Sequence, residues 1–190
     1  MQVTLHNWDA VIISDVMRRF RPMHYPDAVD RLRGPADCCV RALSFSTEIR
    51  YAVALAQLSG YAFCDARDGV DVERFNRYLA TQGWTLLKSD DFQPYFVWTL
   101  VAGLLDSGNY ICSLLPARHE IERHALSVCD GYVFDEHLDW LMSPIDWIAI
   151  EDSTDAETLK QALADADSPF TDVTNLPGMT PAQNPQGCPL

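Results

Sequence analysis

The spacing of apolar residues changes once along the chain, and the change divides it. Over residues 7–20, "NWDAVIISDVMRRF", Trp8, Ile12, Val16 and Phe20 fall on one helical face, with Asn7 placed to cap the start and Pro22 to end the run. From Asp37 the helical period returns. Asp37 is placed to cap, Val40, Leu43 and Phe45 point inward, and "TEIRYAVALAQLSG" carries the period on to Gly60, so two consecutive helices are expected. "VDVERFNRYLATQGW" predicts a third, with Val72, Phe75 and Leu79 on its apolar stripe and Gly83 as its stop. A short strand at 84–87 and a helix over much of 93–105 follow, closed by the turn "DSGN".

Beyond that turn the period falls to two. "YICSLL", "ERHALSVC", "YVFDEHL" and "DWIAIE" read as strands, and Asp130-Gly131 joins the second to the third as a tight hairpin. Helices first and antiparallel strands afterwards predict an α+β fold in which N-terminal helices pack against a C-terminal antiparallel sheet. The expected organisation is an N-terminal helical extension (1–36), a core (37–151) and a tail (152–190). The tail begins with the short helical pattern "DAETLKQALADA" and ends Pro-rich, a composition that stays extended or disordered unless a partner orders it.

Composition narrows the function classes. With 190 residues, 48% of them hydrophobic, the chain can bury a sizeable core. Its net charge of −13 would repel nucleic acid, so direct nucleic-acid binding is not expected. The most apolar run, 95–105, is half the ~20 residues needed to span a bilayer, which argues against a membrane protein. The N-terminus lacks the basic start and apolar run of a secretory signal, so a cytoplasmic location is expected. Six cysteines without a CxxC pair suit reduced thiols better than a disulfide framework or structural zinc, and His119 with His124 is too sparse a pair for a metal site.

The hairpin count places chemistry. With Asp130 and Gly131 as the central turn residues, Cys129 pairs with Tyr132, Val128 with Val133, Leu126 with Asp135 and His124 with His137. His124 and Asp135 are then diagonal neighbours on one face, within reach of each other, and His137 shares that face as an alternative for either role. In "GPADCCVRALS" a cysteine stands at the first turn of a helix, where unpaired N–H groups and the dipole favour a thiolate and can stabilise an oxyanion. Cys38 is the better candidate nucleophile, because Cys39 lies ~100° further round, toward the apolar side. The plainer alternative is that both are small packing residues.

The ordered set "DCCVRALS", "GVDVERFNRYLATQGW", "GNYICSLL" and "RHALSVCDGYVFD" resembles small papain-like cysteine peptidase-fold proteins of phages and bacteria, over about residues 37 to 136. The resemblance implies a papain-like fold with Cys38 as nucleophile, His124 as general base and Asp135 orienting the histidine. It implies a thiol-dependent peptidase or amidohydrolase acting on a peptide, isopeptide or amide, with no cofactor, in the host cytoplasm if phage-encoded. The alternative is an inactive papain-like scaffold that binds a host protein or forms part of a virion. The sequence departs from papain-like enzymes in having no Gln or Asn in "DRLRGPA" to complete an oxyanion hole, which leaves the backbone N–H of Cys38, Gln57 and Asn76 as candidate donors.

Overall fold

The structure, a computed structural model, describes residues 14, 17–23, 32–89, 97, 105, 107–115, 123–137, 140 and 143–165. Its elements are β1 (Phe20–Pro22), α1 (Cys38–Ser46), α2 (Tyr51–Ala62), a 3-10 turn (Ala66–Asp68) and α3 (Val72–Thr81). After these come β2 (Thr85–Lys88), β3 (Asn109–Leu114), β4 (His124–Cys129), β5 (Tyr132–Asp135), β6 (Ile145–Ile150) and α4 (Ser153–Asp165). The fold is α+β, and no helix among the described residues is long and apolar enough to cross a membrane.

Six strands form one sheet in the order β1-β5-β4-β3-β6-β2. The sheet is mixed rather than antiparallel throughout, because β1 joins β5 in parallel, Phe20 opposite Val133 and Pro22 opposite Asp135. Phe20 therefore belongs to a strand and not to the end of a helix; helical geometry stops at residue 19. Pro22 is tolerated there because β1 is an edge strand, where a missing N–H breaks no second ladder. The proposed helix residues Trp8, Ile12 and Val16, most of the helix proposed at 93–105, the 116–122 loop and the 168–190 tail lie outside the described residues, as do His6, His24, Trp98 and His119.

Alternation along the strands divides the core between the two sheet faces. Tyr110, Cys112 and Leu114 of β3, with Leu126, Val128, Val133, Ile148 and Ile150, join Ala156, Leu159 and Leu163 of α4. Ile111, Ala125 and Ala149 join the other cluster, with Val40, Leu43, Ala54, Leu58, Phe75 and Leu79 of α1, α2 and α3. The apolar stripe of α3 is buried as its spacing predicts. Helix α1 lies across β4 and β3, and its last residue is pinned to them: the Ser46 hydroxyl donates to the Tyr110 carbonyl at 3.2 Å and shares a short hydrogen bond with Ser127.

The β4–β5 hairpin has the expected register, with Cys129 opposite Tyr132, Val128 opposite Val133 and Ser127 opposite Phe134. Asp130 and Gly131 both take positive φ, 48° and 75°, as a two-residue turn matched to strand twist requires.

Candidate functional site

Because β4 and β5 are antiparallel, the first residue of one and the last of the other lie at the same end of the hairpin. These are His124 and Asp135, and the diagonal pairing closes to 2.5 Å between His124 Nε2 and Asp135 Oδ2. Both are buried, 7% and 1% exposed. The second carboxylate oxygen is also committed: Asp135 Oδ1 accepts the backbone N–H of Glu136 at 2.6 Å and of His137 at 3.1 Å. The main chain of Asp135 is held in turn by β1, since the Met23 N–H donates to its carbonyl at 2.9 Å. The carboxylate is thus fixed before it orients the imidazole.

With Nε2 engaged by Asp135, the remaining ring nitrogen of His124 is left for the Cys38 thiol, which lines the same cleft and is among the groups that raise the imidazole. The structure therefore brings Cys38, His124 and Asp135 together. Cys38 is half-buried at the start of α1 and lines a cleft of about 590 Å³ with His124, Arg41, Glu136, His137 and Trp140. The Trp140 ring stacks on His124, centroids 4.2 Å apart and planes within 7°, and covers the His–Asp hydrogen bond. His137, the alternative on the same face, lines the cleft but gives Asp135 only its backbone N–H.

Electrostatics separate the two adjacent cysteines. The Cys38 thiol is held well below its usual range: a hydrogen bond from Cys39 contributes most, burial opposes it, and His124 and the Ala125 backbone N–H add to the lowering. Cys39 is pushed up, by its hydrogen bond to the Cys38 sulfur and by burial. Burial alone would lower His124, but its hydrogen bonds to Asp135 and Cys38 and their charges outweigh that and raise it to about 9. The lowered thiol and the raised imidazole both favour the thiolate–imidazolium pair.

The remaining expectations for this region divide. Asp37 occupies the N-cap position of α1, but its side chain caps nothing; its carboxylate is taken by Arg33 at 3.1 Å, Arg41 at 2.8 Å and the Tyr51 hydroxyl at 2.8 Å. As the first residue of α1, Cys38 has no intrahelical acceptor for its backbone N–H, and the Asp37 side chain does not cap it. Gln57 and Asn76 do not line the cleft: Gln57 Oε1 accepts the Tyr78 hydroxyl at 3.2 Å, and Asn76 is buried with both amide atoms unpaired.

The sequence reads Trp140 as a core or cleft-wall residue, and it does line the cleft; its stack on His124 was not foreseen, nor were the roles of Arg33, Arg41 and Glu136. The arginines left a signal, since Arg33, Asp37 and Arg41 follow one another at intervals of four with alternating charge. Comparison of the chain with protein-family models, with curated proteins and with solved structures found no match in any of the three.

Proposed function

We propose that this protein is a papain-like cysteine hydrolase that transfers an acyl group from a peptide, isopeptide or amide to water. The observation that carries the reading is the His124–Asp135 hydrogen bond at a cleft that Cys38 also lines, with the thiol lowered and the imidazole raised. The resemblance of the surrounding motifs to small phage and bacterial papain-like proteins supports it. In this mechanism the Cys38 thiolate attacks the carbonyl carbon and the first-turn N–H of Cys38 donates to the developing oxyanion. The His124 imidazolium gives its proton to the leaving nitrogen, and a thioester remains on Cys38. Neutral His124 then takes a proton from water, the hydroxide adds to the thioester, and collapse releases the acid and regenerates the thiolate and imidazolium. Asp135 stays ionised and holds the ring.

Labelling by a thiol-directed electrophile at neutral pH tests the reading. A single modified site at Cys38 is expected, abolished by Cys38→Ser, and His124→Ala should lower any hydrolysis of amide substrates by about 10²–10⁴-fold. Reaction at Cys39 instead, or a Cys38 rate that ignores His124, would remove the enzyme reading and leave a binding role for the scaffold.

A further inference from the structure

Beside the cleft two acids and two arginines close a ring. Arg33 Nε donates to Asp37 Oδ2 at 3.1 Å and its Nη1 pairs with Glu136 Oε1, while Arg41 Nε donates to Asp37 Oδ1 at 2.8 Å and its Nη1 forms an ion pair with Glu136 Oε2 at 3.2 Å. Each arginine touches both acids, and each carboxylate oxygen has its own guanidinium nitrogen. The two acids are the chain neighbours of the reacting groups: Asp37 precedes Cys38 and Glu136 follows Asp135. We infer that this ring of Arg33, Asp37, Arg41 and Glu136 is a positioning device that sets the spacing between the nucleophile's helix start and the strand end carrying Asp135. The inference rests on the hydrolase reading above.

The argument for positioning over stability is physical. Asp37 is 1% exposed and the Arg41 side chain 7%, so both are removed from water at a cost that their mutual attraction roughly offsets. Such a ring adds little net stability over apolar packing. It does fix geometry, because Arg–carboxylate bridges are directional and α1 cannot move away from the end of β5 without breaking contacts of both arginines at once. Ser46 anchors the far end of α1 to Ser127, and the stretch between lays apolar side chains on the sheet, a contact that resists separation more than sliding. The ring supplies the missing restraint at the end where His124 must face Cys38.

The sign of one substitution separates positioning from simple charge. The Cys38 thiol shares its cleft with Cys39 and Arg41 of α1, Asp68 and Asp71 before α3, Arg123 and His124 at the start of β4, and Glu136 and His137 after β5. Through-space electrostatics alone predicts that Glu136→Gln, by removing a negative charge, lowers the Cys38 pKa and speeds alkylation in mild acid. Positioning predicts the reverse, since a loosened ring lets the imidazole drift from the thiol.

The experiment is the pH profile of Cys38 alkylation by iodoacetamide in the full chain. Glu136→Gln is expected to move the alkylation profile up by about one pH unit, slowing the reaction on its acid side. Arg33→Lys, which keeps the charge but cannot bridge both acids, should slow it in the same direction and decides the matter if Glu136→Gln does not fold. Ile148→Val, a mild destabilisation on the far face of the sheet, should leave the rate within about twofold. Acceleration or no change in Glu136→Gln, or equal slowing in Ile148→Val, overturns the inference. If His124→Ala slows alkylation while the ring variants do not, only the ring role falls; if His124→Ala itself has no effect, the hydrolase reading falls and the ring role with it.

Discussion

The thiol of Cys38 gives up its proton because donors converge on it from three directions: the Cys39 thiol, the His124 ring and the Ala125 backbone. Cys39, one helical step further round, is 2% exposed and packs with Val40 and Leu43, its sulfur 3.9 Å from the Val70 carbonyl. Its thiol is the first cause of the lowered Cys38 and is itself pushed up, so Cys39 is not a second nucleophile. Cys39→Ala should raise the pH at which Cys38 alkylates, whereas Cys39→Ser, which keeps a donor, should stay closer to the parent, with about one pH unit between the two profiles if the donor is worth one pKa unit. Much of this site was legible from residue spacing. The Asp130-Gly131 turn fixed a register, the register fixed a diagonal, and the diagonal joined His124 to Asp135. The Trp140 stack was not legible, because no periodic relation ties residue 140 to residue 124 and only the tertiary fold superposes the rings.

At the scale of elements, helices and strands with a full period were readable and short or irregular segments were not. β1 has three residues, too few for alternation to register, and the helical spacing upstream extended over Phe20; its partner β5 decided its conformation. Two local positions carry testable strain. Helix α2 ends with Phe63 in the left-handed region, φ 54°, with its side chain 95% exposed, so the ring gains nothing that offsets the backbone cost. Phe63→Gly is expected to raise stability by roughly 1 kcal/mol in a denaturant titration. Gly34 has the opposite character. A Cβ there would lie 2.4 Å from both the Cβ and the carbonyl oxygen of Arg67, in the segment where the Ala36 N–H donates to that same carbonyl at 3.1 Å. Gly34→Ala should destabilise the fold by about 1–3 kcal/mol and displace the approach to α1, with slower Cys38 alkylation as the accompanying sign.

The whole molecule feels the site through pH. Taken alone, His124, raised from 6.5 to about 9, would favour folding in acid and lose that contribution as pH rises through 9. Cys38, lowered from a usual value of 9.0, acts in the opposite sense: its contribution is full above 9 and is lost as pH falls through its folded value. The two dependences run in opposite senses and offset each other where they overlap. The pair's contribution to stability should therefore vary less with pH than either group's alone and decline in acid once the lowered thiol takes up its proton, and the difference in unfolding free energy between parent and His124→Ala, measured across the pH range, should show that shape.

The parallel pairing of β1 with β5 also bears on when the chemistry becomes available during synthesis. A ribosome delivers Cys38 and the helices around it well before His124 and Asp135, and the strand that holds the Asp135 carbonyl waits for its partner through all of the intervening chain. Until the hairpin emerges, Cys38 has neither the His124 ring nor the Ala125 backbone beside it, and of the groups that lower its thiol only Cys39 is at hand. On the hydrolase reading the nascent chain is then less reactive than the finished fold, and completion of the sheet brings the thiol to full strength.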